Sequence, residues 1–151
     1  MKILFVCSGN SCRSPMAAAY FNHLCRVNGI VGVSASSAGT SAEEGRPASA
    51  GACGVMDALG LSLKDHCSRH LSAELLAESD YVYVMTANHL KTLQKEHKSE
   101  AGKAKLLMSL TPVAEDVADP YGGDADDYTA CFLSMIPALA ELADRIIRSR
   151  G

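Results

Sequence analysis

The sequence predicts a three-layer α/β fold, in which helices flank both faces of a four-stranded parallel sheet. Strand-like segments alternate with segments of helical periodicity, which is typical of a parallel sheet covered by helices. The first strand candidate, Lys2–Cys7, is apolar along its length, as expected for a strand buried on both faces. A chain of 151 residues has the size of one domain, so we expect a single domain over residues 1–151.

Three further short segments are predicted to be strands, and each lies between helix or turn signals. They span residues 31–37, 81–85 and 104–108. The helix after the first strand has clear boundaries, because Ser14 and Pro15 are typical of a helix cap and a first helical position. Gly29 indicates its end. Apolar residues recur on one face of this helix at Met16, Tyr20, Leu24 and Val27.

Three shorter amphipathic helices are predicted in the middle of the chain. Ser72 and Thr86 are typical caps for two of them, and Gly60 ends the other. We expect these helices over residues 47–59, 72–78 and 86–96.

The C-terminal segment, residues 128–150, repeats apolar residues at helical spacing. Pro137 lies inside it and lacks a backbone donor, so we expect a kink or a break there. The longest stretch without periodicity covers residues 109–127. Long loops in compact domains are often functional, which directs attention to its acidic residues.

Composition excludes several classes of function. The chain has 14 Lys and Arg residues against 17 Asp and Glu residues, a net charge of −3, and only 5% aromatic residues. Nucleic-acid binding is not expected, because such proteins carry clustered basic side chains. No segment is long and apolar enough for a signal peptide or a membrane span. We therefore expect a cytoplasmic protein without membrane contact, acting as a monomer or weak dimer.

The six cysteines are expected to be reduced thiols, since the chain is larger than typical disulfide-rich secreted domains. Their spacing does not match the pairs that bind zinc, and the five histidines form no complementary pair. We expect no metal and no other cofactor.

A loop between the first strand and its helix carries the main functional signal. Such a loop directs backbone N–H groups into one concavity at a helix N-terminus, where a tetrahedral anion such as phosphate fits. Gly9 and Asn10 are residue types that accept left-handed backbone conformations, which lets the loop curl. The phosphate-binding candidates are Ser8, Gly9, Asn10, Ser11, Cys12, Arg13 and Ser14.

Cys7 precedes this loop and is the candidate nucleophile. Cysteines at helix N-termini beside cations titrate at about 3.5–7.5, so we expect a lowered thiol pKa. Arg13 lies six positions later and can hold two phosphate oxygens with its planar guanidinium. Ser14 can cap the helix and hydrogen-bond the thiolate. The alternative is an ordinary strand-to-helix turn with a buried cysteine.

Expulsion of an alkoxide or phenoxide at neutral pH also requires a proton donor near the leaving oxygen. Among the acidic residues of the long loop, Asp119 is preferred because Pro120 holds it in an extended conformation. Tyr121 follows as an aromatic wall for the substrate, and two glycines complete a hinge. The catalytic candidates are therefore Cys7, Arg13 and Asp119.

The chain resembles the low-molecular-weight protein tyrosine phosphatase family over essentially its whole length. The resemblance rests on residues 6–15, Val-Cys-Ser-Gly-Asn-Ser-Cys-Arg-Ser-Pro, and on Asp-Pro-Tyr at 119–121. Residues 36–40, Ser-Ser-Ala-Gly-Thr, match the family as well, as do His66 and the Ser-Arg pair at 68–69.

The resemblance implies a four-stranded parallel sheet and a phosphocysteine intermediate on Cys7, with phosphorylated proteins as substrates. It implies that Arg13 binds phosphate and that Asp119 donates a proton and then activates water. It also implies that Asn10, Ser14, Ser37 and His66 brace the loop.

Ser11 lies where tyrosine phosphatases of this family usually have an apolar branched residue and where bacterial protein-arginine phosphatases have threonine. A small hydroxyl suits a guanidinium, because an apolar wall leaves its donors unpaired. Phosphotyrosine is the expected substrate, and phosphoarginine is the alternative.

Two other functions are compatible with parts of this pattern. Thioredoxin-coupled arsenate reductases share the loop, but they need two further cysteines after the third strand, and residues 81–130 contain none. A catalytically inactive phosphate-binding module is expected to lose the nucleophile or the acid, and both are present.

Overall fold

Strands and helices alternate in this computed structural model, which describes residues 1–151. The main elements are β1 (Lys2–Cys7), α1 (Arg13–Val27), β2 (Ser34–Gly39), α2 (Ala50–Ala58), α3 (Ala73–Glu78), β3 (Tyr81–Val84), α4 (Ala87–Glu96), β4 (Ala104–Leu106) and α5 (Ala125–Arg150). The four strands form one parallel sheet in the order β2-β1-β3-β4. Two short 3-10 turns flank β4, at Ala101–Lys103 and Leu107–Leu110.

Alternate side chains of β1 enter two separate hydrophobic clusters. Ile3 and Phe5 belong to a large cluster with residues of α1, α2 and α5. Leu4 and Val6 belong to a smaller one with residues of α3 and α4. Because successive side chains of a strand point to opposite faces, this division places helices on both sides of the sheet. The predicted three-layer α/β fold is confirmed.

Several predicted boundaries are corrected. The second strand was predicted over residues 31–37 but spans Ser34–Gly39, because Gly32 has a φ of 74° and belongs to the preceding turn. The third ends at Val84 rather than residue 85. The fourth was predicted over residues 104–108 but ends at Leu106, where the chain turns into a 3-10 helix that buries Leu107.

Helix starts differ from the predictions because other residues cap them. Cys12 occupies the N-cap position of α1, and the Ser14 side chain lies inside the helix without capping it. Ser49 caps α2 by accepting a hydrogen bond from the backbone N–H of Ala52, so the helix begins at Ala50 rather than 47. Helix α5 begins three residues before the predicted 128, after a capping box formed by Asp124 and Asp127.

Pro137 does not break α5, which is continuous for 26 residues. The missing donor is tolerated because the next turns are held by packing, with Ala138, Leu139 and Leu142 all buried in the large cluster. Pro137 itself is exposed. No helix of the chain combines the length and the apolar character that crossing a membrane requires.

Pro137→Ala should stabilise the protein, because it restores a helix donor at an exposed position where no cavity is created. The free energy of unfolding should rise by roughly 1–3 kcal/mol in denaturant titrations. Asp144→Ala, an exposed substitution in the same helix, should change it by less than about 0.5 kcal/mol. An unchanged or lower stability for Pro137→Ala would show that α5 already accommodates the proline without cost.

Candidate active site

The loop of residues 8–12, called the phosphate loop, joins the carboxyl end of β1 to the N-terminus of α1. Because β1 lies between β2 and β3, the loop sits at the centre of the sheet edge, where ligands bind in open α/β folds. It borders a cavity of about 260 Å³. The lining residues are Cys7, Ser8, Gly9, Ser11, Cys12, Arg13, Ser41, Asp119 and Tyr121.

Asn10 forms the sharp turn of this loop. It is fully buried and has a φ of 55°, the left-handed conformation that asparagine accepts more readily than most residues. Its carbonyl accepts a 2.7 Å hydrogen bond from His66 Nε2, and its Oδ1 accepts one of 2.9 Å from the backbone N–H of Arg69. Its Nδ2 donates to Ser14 Oγ at 2.9 Å. The carbonyl and both side-chain polar atoms of Asn10 are thereby paired.

Of the four residues expected to brace the loop, His66 and Ser37 lie outside it and reach it in different ways. His66 contacts Asn10 directly, as the resemblance implies. Ser37 contributes through its carbonyl oxygen, which accepts hydrogen bonds of 3.3 and 3.1 Å from Nε and Nη2 of Arg69. Arg69 therefore connects β2 to the phosphate loop, a role that sequence analysis did not assign to it.

Gly39 lets β2 approach the loop closely. A Cβ atom at this position would lie 2.9 Å from the backbone nitrogen of Asn10 and would collide with the carbonyl of Ser8. The backbone N–H groups of Thr40 and Ser41, which follow Gly39, donate to the carbonyls of Cys7 and Ser8 at 2.9 and 3.0 Å. Any larger residue than glycine would displace the loop.

The Cys7 sulfur lies 2.9 Å from Ser14 Oγ and is buried. Burial raises the pKa of the Cys7 thiol, and the hydrogen bonds from Ser14 together with the charge of Arg13 oppose that rise. The expected lowering of this pKa is therefore wrong, because it counted charge and hydrogen bonds but left out desolvation. Asn10 donates to Ser14 Oγ, and the hydroxyl proton of Ser14 has two acceptors within reach, the Cys7 sulfur at 2.9 Å and the carbonyl of Ala38 at 3.4 Å. The shorter contact favours the sulfur once it is a thiolate.

Arg13 is buried and joins the phosphate loop to the acidic loop, residues 111–124 before α5. Its Nη1 donates to the carbonyl of Val117 at 2.9 Å, and its Nη2 lies 3.6 Å from Asp119 Oδ2. Its guanidinium also lines the cavity beside Cys7. This places a permanent positive charge between the sulfur and the carboxylate.

The acidic loop is anchored to the end of β3 and to α4. The N–H of Val117 donates to the carbonyl of Met85 at 2.9 Å. Asp116 Oδ1 accepts from the N–H of Ala87, the first residue of α4, at 2.9 Å. These bonds fix the chain just before Asp119, a constraint that the sequence did not predict.

Asp119 and Tyr121 stand at the mouth of the cavity. The side chain of Asp119 is 52% exposed, and its Oδ1 accepts a 3.1 Å hydrogen bond from the N–H of Tyr121. Tyr121 is 79% exposed. A larger cavity of about 640 Å³ lies on the other side of these two residues and contains no residue of the phosphate loop. The site that brings sulfur, arginine and carboxylate together is the smaller one.

Cys12 ties the loop to two helices that sequence analysis did not connect with it. Its Sγ lies 3.2 Å from Ser49 Oγ at the start of α2 and donates to the hydroxyl of Tyr128 on α5 at 3.6 Å. The ring of Tyr128 packs on Gly51, where a Cβ would collide with it. Ser11 Oγ lies 3.6 Å from the same sulfur, at the rim of the cavity.

Ser14→Ala should raise the pKa of Cys7 further, since the variant keeps the burial and loses the hydrogen bond that opposes its effect. The pH profile of Cys7 alkylation by iodoacetamide, followed by peptide mass spectrometry, should shift to higher pH. Ser36→Ala, an exposed serine on β2, is the matched control and should leave the profile in place. An unshifted profile for Ser14→Ala would mean that its hydroxyl does not stabilise the thiolate.

Known proteins resemble this chain in sequence and in fold. A family model described as low molecular weight phosphotyrosine protein phosphatase matches residues 2–150. The protein-arginine-phosphatase of Geobacillus stearothermophilus is 33% identical over 146 residues, covering 96% of this chain and 95% of the relative. The low molecular weight protein-tyrosine-phosphatase of Streptomyces coelicolor is 37% identical over 145 residues, covering 91% and 87%.

Among solved structures, that of a mutant YwlE arginine phosphatase with a phosphorylated active-site serine matches with a TM-score of 0.93 and 32% identity. The match covers 99% of this chain and 98% of that one. The resemblance drawn from the sequence is confirmed, and the chain belongs to the low-molecular-weight protein tyrosine phosphatase family, whose members act through a phosphocysteine intermediate.

Proposed function

We propose that this chain removes phosphate from protein side chains, with Cys7 as nucleophile, Arg13 as phosphate ligand and Asp119 as general acid. The observation that carries the proposal is the cavity of about 260 Å³ that these three residues line together. A sulfur at its base and a buried guanidinium at its side suit a phosphoryl group, and Ser11 and Tyr121 line the part of the cavity left for the side chain that carries it.

In the first step, the Cys7 sulfur attacks phosphorus as a thiolate and the bond from phosphorus to the leaving atom breaks. The hydroxyl of Ser14 donates to the sulfur, and Arg13 balances the phosphoryl charge. Asp119 gives its proton to the leaving atom, so the side chain departs neutral. The product of this step is phosphocysteine on Cys7.

In the second step, Asp119 removes a proton from a water molecule, which attacks the phosphocysteine. The bond between sulfur and phosphorus breaks, inorganic phosphate leaves and the thiolate of Cys7 returns. The 52% exposure of the Asp119 side chain supports both tasks, because the carboxyl reaches a leaving group and water from the cavity mouth.

Phosphotyrosine is the substrate we propose, with Tyr121 as an aromatic wall beside the leaving ring. Tyr121 lines the cavity while most of its ring is exposed, so it can pack against an incoming phenyl group. The family description and the Streptomyces coelicolor relative support this choice.

Phosphoarginine is the second candidate, and Ser11 is the observation that favours it. Ser11 lines the cavity rim with a small polar side chain, where an apolar residue would leave guanidinium donors unpaired. The Geobacillus stearothermophilus relative, a protein-arginine-phosphatase, supports this alternative.

The nucleophile is tested by Cys7→Ser, which should abolish turnover of phosphotyrosine peptides because a serine hydroxyl is not ionised in this site. Calorimetry should still detect binding of inorganic phosphate. Cys25→Ser, a change at a buried thiol of α1, is the matched control and should retain activity. Turnover by Cys7→Ser at the wild-type rate would refute the proposed mechanism.

The general acid is tested by comparing leaving groups. Asp119→Ala should lower kcat/KM, which reports the formation of phosphocysteine alone, roughly 10²- to 10⁴-fold with a poor leaving group such as a phenol, and far less with a good one such as nitrophenol. Asp126→Ala, in the first turn of α5, should be nearly neutral on both. Equal losses on both substrates would assign the proton to another group.

Substrate choice is tested by Ser11→Ile, which adds an apolar wall at the rim. Loss of partners for the guanidinium costs ~1–3 kcal/mol, so the phosphotyrosine to phosphoarginine ratio of kcat/KM should rise by roughly 5- to 150-fold. Matched peptides that differ only in the phosphorylated residue provide the measurement. A constant ratio would show that Ser11 does not sense the leaving group.

A further inference from the structure

A buried histidine on α4 contacts the phosphate loop from outside the cavity. His89 is only 5% exposed, and its Nε2 lies 2.8 Å from the hydroxyl oxygen of Ser8. Ser8 in turn lines the cavity between Cys7 and the rest of the loop. The proposed mechanism gives this histidine no task.

The hydrogen bonds of His89 define which ring nitrogen carries the proton. The backbone N–H of Thr86 can only donate, and it points at His89 Nδ1 at 3.1 Å. The hydroxyl of Thr86, which accepts from the N–H of His89, lies 3.0 Å from the same nitrogen. Nδ1 is therefore an acceptor, and in a neutral imidazole the single proton is on Nε2.

The proton on Nε2 determines how the Ser8 hydroxyl behaves. Nε2 donates to Ser8 Oγ, so the oxygen is engaged as an acceptor and its own proton is free to point elsewhere. The open direction is the cavity that Ser8 lines. A hydroxyl fixed as a donor suits the oxygens of a bound phosphate, which only accept when ionised.

We propose that His89 is a positioning residue, whose neutral imidazole holds the Ser8 hydroxyl as a hydrogen-bond donor to the phosphate. The inference deepens the proposed function and depends on the cavity being a phosphate site. It means that α4 also positions a residue of this site. The first turn of α4, which carries His89, is the turn that binds Asp116 of the acidic loop.

Burial and the nearby charge of Arg13 favour the neutral form of His89. Burial, followed by the nearby charge of Arg13, lowers the pKa of His89 from 6.5 to about 4, while Asp116 and Asp119 act in the opposite direction. With a pKa below the ordinary value, its contribution to stability is complete above 6.5 and is lost as the pH falls through about 4. Near neutral pH the donor to Ser8 is therefore intact.

Calorimetric titration with inorganic phosphate tests the inference without any turnover. His89→Asn keeps an amide oxygen that can accept from Thr86, but its side chain is too short to reach Ser8. Phosphate binding should weaken roughly 3- to 10-fold in His89→Asn and in Ser8→Ala. Asn88→Ala, an exposed change in the same turn, is the control and should bind as wild type.

The double variant separates positioning from a merely structural role. If His89 acts through Ser8, Ser8→Ala combined with His89→Asn should bind phosphate no more weakly than Ser8→Ala alone. An unchanged affinity in His89→Asn, or an equal loss with and without the Ser8 hydroxyl, would overturn the inference. Since these are binding measurements, an error in the identity of the nucleophile would leave them unaffected.

Nitrogen NMR of the wild-type protein provides a test that needs no variant. The side-chain spectrum should show His89 neutral with its proton on Nε2 from about pH 5 to about pH 8, consistent with a pKa of about 4. A proton on Nδ1, or a doubly protonated ring in that range, would overturn the inference even if the variants failed to fold.

Discussion

The left-handed turn at Asn10 is the constraint on which the rest of the site depends. A buried polar turn is stable only if its groups are paired, since each unpaired group costs about 1–3 kcal/mol. Here the pairing comes from three places: His66, the backbone of Arg69 and Ser14. Through Ser14 the same network reaches the Cys7 sulfur, so the shape of the loop and the chemistry of the thiol are coupled.

The order of the sheet explains how distant segments meet at this loop. With β1 between β2 and β3, Gly39 at the end of one neighbour allows close approach, and Met85 after the other holds the acidic loop. Arg13 then donates to the carbonyl of Val117 and lies near Asp119, so the candidate phosphate ligand and the candidate acid are held close together. A ligand that binds Arg13 therefore contacts the residue that joins the phosphate loop to the acidic loop.

Sequence reasoning recovered the fold because the apolar β1 and the helix signals are local, and it recovered the meeting of Cys7, Arg13 and Asp119 from a loop motif and one dipeptide. It missed contacts that are set by tertiary approach, such as those of Arg69 and Tyr128. It also misjudged the thiol pKa, because burial cannot be read from neighbouring residues. His89 could have been noticed, since Thr86 and a histidine three positions later match the spacing of a capping box.

The most direct test of the account locates the phosphate during turnover. Wild type and Asp119→Ala would be mixed with nitrophenyl phosphate, quenched rapidly in denaturing detergent and digested for mass spectrometry. We expect one added phosphoryl group on the peptide containing Cys7, at higher occupancy in Asp119→Ala because hydrolysis of the intermediate is slowed. Phosphate on another residue, or turnover with no covalent phosphate in either protein, would contradict it.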